Sequence, residues 1–232
     1  MDGKQIGMHK NIDGESRKGQ EMEKSGIIFD MDGTLWDSAK AVAESWTEVV
    51  AREYTPERVI TEDEIKRVMG LTMDKLAAQI FPELPEERRL QLLDVCGREE
   101  NEYLRTHGAI VYPKVEETFQ KLREKYHLYI VSNCQSGYIE AFLEYYGYGK
   151  YIEDIECYGN NGLVKGDNIR KVVERNHLTK AVYVGDIQGD YDASMQAGVV
   201  FIHAGYGFGT VDANVPEITA FEELPKVVES VL

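Results

Sequence analysis

Apolar and polar positions along the chain follow two periods. Ile27-Ile28-Phe29 is a short apolar run, and Asp30-Met31-Asp32-Gly33-Thr34 follows at once. Such a run, rich in β-branched residues, reads as a buried strand. Side chains alternate faces along a strand, so an unbroken strand would point both acids the same way. Two like charges at a buried strand end are costly unless a cation lies between them. Gly33 marks a sharp turn or a close approach. Thr34 adds a hydroxyl, and Leu35-Trp36 resume apolar packing.

From Ser38 to about His107 the period is helical. Val42, Trp46, Val49 and Val50 recur on one face, and Thr61 with Glu64 forms a capping box. A helix is expected through Asp74–Ile80 and a long one from about Glu86 to Arg105, stopped by His107-Gly108. Nothing in this block reads as a strand, so it is expected to be an inserted helical lid.

From Tyr112 onward strand and helix alternate. Strands are expected at Leu128–Val131, Tyr151–Cys157, Ala181–Val184 and Val199–Ile202, the second at a sheet edge because of its acids. Helices are expected at Val115–Tyr126, Tyr138–Tyr146, Gly166–Arg175, Tyr191–Ala197 and Glu222–Val231. Alternation of this kind implies a doubly wound parallel sheet, a Rossmann-like α/β core. The expected organisation is a flexible leader over 1–24, a core over 25–37 and 112–232, and an all-helical cap over 38–111. Met22, just before the first strand, is a candidate native start, which leaves the origin of the leader open.

Composition narrows the functional classes. The 232 residues hold 26 Lys plus Arg against 41 Asp plus Glu, a net charge of −15. That balance argues against nucleic acid and anionic membrane as partners, and an anionic substrate then needs a local positive site. No apolar run approaches the roughly 20 residues of a membrane span. The N-terminus is too polar for a secretory signal. Three cysteines, Cys96, Cys134 and Cys157, without a CxxC pair point to reduced thiols and a cytoplasmic protein.

Polar groups stand where the strands end. Asp30 and Asp32 follow the first, Ser132-Asn133 the next, and Gly185-Asp186 with Asp190 a later one; Lys165 precedes a helix. Parallel strands gather such ends at one sheet edge. The string Asp30-Met31-Asp32-Gly33-Thr34-Leu35 resembles the first motif of the haloacid dehalogenase superfamily. Ser132, Lys165 and Asp186 with Asp190 resemble its second, third and fourth motifs in order. The resemblance covers about two thirds of the chain.

The resemblance implies a Mg²⁺-dependent phosphatase acting on a small phosphorylated metabolite, similar to phosphoglycolate phosphatases. It implies Asp30 as nucleophile and metal ligand. Asp32 would give its backbone carbonyl to the metal and act as general acid, then base. Asp186 would be the third ligand, and Asp190 would hold metal-bound waters. Ser132 would bind a phosphate oxygen, and Lys165 would pair with nucleophile and phosphate. Asn133 and Thr34 are further candidates around the phosphate. Gly70, in Val68-Met69-Gly70-Leu71-Thr72, is either part of a cap loop facing the site or a plain interhelical turn.

Asp32 departs from the dehalogenases and phosphonate hydrolases, which lack that acid. Lys165-Gly166-Asp167-Asn168 departs from the Lys-Pro-x-Pro of many relatives. Two other readings remain: a phosphosugar mutase of the β-phosphoglucomutase type, and a receiver-type phosphoacceptor domain, against which the helical insert argues. His203 reads as a core or loop histidine, Gly205-Tyr206-Gly207-Phe208-Gly209 as a loop near the site. Cys134 and the tyrosines 145, 146, 148 and 151 read as packing.

Overall fold

The computed structural model describes residues 24–232, so the expected leader lies outside the described residues except for Lys24. Lys24 is already tied in, its N–H donating to Thr179 Oγ1 at 2.9 Å.

The apolar runs form a six-stranded sheet: β1 (Ser25–Phe29), β4 (His127–Ser132), β5 (Ile152–Cys157), β6 (Lys180–Gly185), β7 (Val200–Ala204) and β8 (Glu217–Ile218). Their order is β5-β4-β1-β6-β7-β8, and every pairing is parallel. β5 lies at the edge, as its acids foretold. Asp154 and Glu156 are met there by Arg175 from the last turn of a neighbouring helix.

Strand alternation splits β1 between two cores. Ile27 and Phe29 enter one with Phe119 and Phe221, whose rings lie 5.3 and 5.8 Å from that of Phe29. Ile28 enters the other, with Tyr129, Val131 and Tyr183. The covering helices are α5 (Val115–Leu122), α6 (Tyr138–Tyr146), a one-turn α7 (Tyr158–Asn161), α8 (Lys165–Arg175), α9 (Gln188–Ala197) and α10 (Leu224–Val231).

The helical block contains α1 (Ala39–Glu53), α2 (Glu62–Val68), α3 (Met73–Ile80) and α4 (Glu86–His107). The Thr61–Glu64 capping box is present at the start of α2. Gly108 ends α4 at φ 66°. Trp46, Val50, Ile65, Val68, Phe81 and Leu92 give the block its own hydrophobic core. A two-residue antiparallel pair, β2 (Trp36–Asp37) with β3 (Ile110–Val111), joins the two chain crossings. It was not foreseen, because two residues carry no period to read.

Candidate active site

Register sets the site. Phe29 lies beside Ile130 on β4 and beside Val184 on β6. Asp30, Ser132 and Asp186 therefore leave the sheet at nearly the same level, on three adjacent strands. Asp30 is fixed further by donating its N–H to the Val184 carbonyl at 2.9 Å. Lys165 is the first residue of α8 rather than part of a preceding loop, and its ammonium reaches back to the sheet edge. It lies 2.9 Å from Asp30 Oδ1 and also pairs with Asp190 Oδ1, all three side chains being buried. The Asp190 pairing was not anticipated.

Asp30, Asp186 and Asp190 bring one carboxylate oxygen each within 4.8 Å of one another. Burial and the charge of Asp190 push Asp30 from 3.8 to about 7 despite Lys165. Burial, with Asp190 and Asp30 adding to it, pushes Asp186 to about 9. Burial alone would lower Lys165, but Asp190 and Asp30 outweigh it and hold the ammonium well above its usual range. Three buried acids facing one cation leave negative charge uncompensated. Oxygen donors of this kind suit a hard divalent ion, so the residues fit Mg²⁺. Asp190 is the most committed of the three. Its Oδ2 accepts the N–H groups of Asp186 and Ile187 at 3.0 and 3.2 Å, which shapes the loop that carries Asp186.

Asp32 turns its carboxylate away from this group. Oδ1 accepts from Ser38 Oγ at 2.6 Å and from Tyr138 OH at 2.7 Å. Burial raises Asp32 to about 6, against the lowering effect of those two bonds. Its side chain is thus held by two hydroxyls on the side of the helical block, apart from the cluster of Asp30, Asp186 and Asp190. Neither Ser38 nor Tyr138 was singled out from sequence; both look like helix residues there.

Gly33 is required twice over. Its φ is 81°, and a Cβ would lie 2.0 Å from Asp186 Oδ2. Gly207 is packed as closely, a Cβ there falling 2.3 Å from that of Asp186. The glycine-rich loop therefore lies on the site, and Phe208 N–H donates to Asp186 Oδ2 at 2.7 Å. His203 is buried beneath, its Nε2 3.2 Å from the Asp186 carbonyl and its Nδ1 2.9 Å from Glu217.

Thr34 is fully buried and its hydroxyl has no protein partner. Asn133 Nδ2 donates to the Gly70 carbonyl at 2.9 Å, while its Oδ1 is buried without a partner. Gly70 lies in the turn between α2 and α3, at φ 81°, against Ile187 of the Asp186 loop. Ser132, Asn133, Asp32 and Gly70 all line one cavity between sheet edge and helical block. The three cysteines are free thiols. No helix among the described residues is long and apolar enough to cross a membrane.

This arrangement has known counterparts. The profile of the family described as haloacid dehalogenase-like hydrolase matches residues 27–204. A phosphoglycolate phosphatase of Vibrio vulnificus is 26% identical over 224 residues, covering 89% of this chain and 95% of its own. One from Rhodobacter capsulatus is 28% identical over 227 residues, covering 88% and 96%. A crystal structure described as a predicted phosphatase from Clostridium acetobutylicum superposes with a TM-score of 0.72 at 22% identity, covering 89% of this chain and 99% of that one. That last likeness speaks to the fold alone. The profile spans more than half of the chain and takes in Asp30, Ser132, Lys165, Asp186 and Asp190, so the chain belongs to the haloacid dehalogenase-like hydrolases.

Proposed function

We propose that this hydrolase is a Mg²⁺-dependent phosphatase that cleaves a small phosphomonoester through an aspartyl-phosphate on Asp30. The observation that carries the reading is the placement of Lys165 against Asp30 beside two further acids, with Asp32 held apart by Ser38 and Tyr138. The relatives' shared name nominates phosphoglycolate as the first substrate to try.

Asp30, Asp186 and the Asp32 carbonyl would hold the cation, which would neutralise phosphoryl charge and draw Asp30 back to its ionised form. Asp190 would act on it from outside, through its grip on the Asp186 loop and Lys165. Lys165 and Ser132 would take phosphoryl oxygens, with Asn133 at the rim of the same cradle. Thr34, whose buried hydroxyl has no protein partner, would be a further polar group beside the phosphoryl site.

An Asp30 oxygen attacks phosphorus, the ester P–O bond breaks, and Asp32 gives its proton to the leaving alkoxide. Water then attacks phosphorus, Asp32 takes a proton from it, and the acyl-phosphate P–O bond breaks to release phosphate. Gly70 and its neighbours would help to close the site and exclude other water. Phosphate release from p-nitrophenyl phosphate and phosphoglycolate, with Mg²⁺ and with chelator, tests the reading. Absence of Mg²⁺-dependent release from every monoester tried would overturn it.

A further inference from the structure

The cavity between sheet edge and helical block holds one group that this mechanism leaves unused. Glu100, in the middle of α4, is 3% exposed. Trp46 Nε1 donates to its Oε2 at 2.5 Å, and the side-chain amide of Gln135 also reaches it. A carboxylate offers about four acceptor positions, so these two donors do not saturate it. Glu100 lines that cavity together with Asp32 and Tyr138, and its charge is felt at both. The space is small, about 40 Å³, and its other walls are largely apolar.

The cavity's charge is one-sided. Two acids line it, and none of its lining residues is Lys, Arg or His. The nearby cations, Lys66 and Arg67, line a different opening with Ile187 and Phe208. Lys66 is engaged there by Asp37 at 3.0 Å and by Glu62 at 2.7 Å. A buried carboxylate with no cation beside it is costly unless a ligand brings one.

We propose that Glu100 selects the leaving group, and that the substrate is a small phosphorylated amino alcohol whose ammonium sits against Glu100. This rests on the phosphatase reading and narrows it. With the phosphoryl group at Asp30 and Lys165, the ester's alcohol portion points past Asp32 into the cavity. A carboxylate there, as in phosphoglycolate, would meet two acids and no cation. A neutral polyol would find acceptors but leave the buried charge unbalanced. An ammonium satisfies both charge and hydrogen bonding. Burial, opposed only partly by Gln135 and Trp46, pushes Glu100 from 4.5 to about 7, and a bound ammonium would hold it ionised.

The test is steady-state kinetics on the full chain with Mg²⁺, following phosphate release from five probes. These are p-nitrophenyl phosphate, ethyl phosphate, glycerol phosphate, phosphoglycolate and phosphoethanolamine. The expected kcat/KM for phosphoethanolamine exceeds those for ethyl phosphate and phosphoglycolate by about tenfold or more, the scale of one charge-assisted hydrogen bond. In Glu100→Gln that ratio should fall toward one. A preference for phosphoglycolate or glycerol phosphate over phosphoethanolamine would overturn the proposal. So would an unchanged ratio in Glu100→Gln. If that variant does not fold, the order of the five probes on the native chain decides alone. Release from p-nitrophenyl phosphate without amine preference sinks this inference and leaves the phosphatase reading standing; no release from any probe sinks both.

Discussion

Lys165 Nζ lies 2.9 Å from Asp30 Oδ1, across 135 residues of sequence, in a pair whose side chains are almost fully buried. The pair joins the start of α8 to the end of β1, so under the proposed mechanism it would serve the fold and the chemistry together. Its two ends should respond differently to substitution. Asp30→Asn removes one of three acids that repel one another, and should keep the melting temperature at neutral pH while kcat falls by several orders of magnitude. Lys165→Met leaves the acids without their one cation, so the metal-free melting temperature should drop as well as the rate. Breaking one side of a buried pair costs about 3–5 kcal/mol. Thermal melts beside kcat for both variants check this; near-native turnover in Asp30→Asn would remove the nucleophile assignment.

Charge also predicts the metal response. Chelator should abolish turnover, and Mg²⁺ should restore it. Mg²⁺ should also raise the melting temperature, because an ion that binds only the folded state stabilises it. Ca²⁺, larger and with more oxygen ligands, should inhibit by misplacing Asp30. A melting temperature indifferent to Mg²⁺ at millimolar levels would count against Asp30 and Asp186 as ligands.

The parts of the site that the sequence made legible share one feature: each follows an apolar run. Asp30, Ser132 and Asp186 end β1, β4 and β6, and a parallel sheet has no choice but to gather them. Chain order alone could not give the side-chain partners. Tyr138 meets Asp32 across 106 residues, from the start of a helix whose sequence marks no partner for it. Asp190 was expected near metal-bound water, and its direct grip on Lys165 depends on how α8 and α9 lie together. Glu100 was invisible for another reason. It stands in the polar run Gly97-Arg98-Glu99-Glu100-Asn101, where nothing marks which acid faces inward.

Glu100 makes a pH prediction separable from the metal site. Its carboxyl titrates near 4.5 when exposed and near 7 when folded. An acid raised by folding contributes most favourably below its unfolded value. That contribution is lost as pH rises from 4.5 to 7, and is constant above. Glu100→Gln removes this loss, so the variant should gain stability relative to the native chain across that window, by up to about 3 kcal/mol. Urea unfolding of both metal-free proteins between pH 4 and 8 measures the difference. A difference that stays flat with pH would mean that folding does not raise this carboxyl.

The final prediction separates the two chemical steps at Asp32. Ser38 and Tyr138 fix its carboxyl from one side, and an amide would sit there with the same shape. Asp32→Asn keeps the backbone carbonyl, so the Mg²⁺ dependence of the melting temperature should change little. It removes the proton donor of the first step and the base of the second. p-Nitrophenolate leaves readily without a proton, so the first step should still proceed with that substrate. The second step lacks its base, and phosphate should remain on Asp30. Intact-protein mass spectrometry after rapid acid quenching should then show a covalent phosphoryl adduct, absent from Asp30→Asn. With an alkyl phosphate the variant should be nearly inert and form no adduct, because the alkoxide cannot leave unprotonated. Turnover of both substrates at the native rate would show that Asp32 moves no proton, and the bonds from Ser38 and Tyr138 would then serve only to hold the Asp30–Gly33 turn in place.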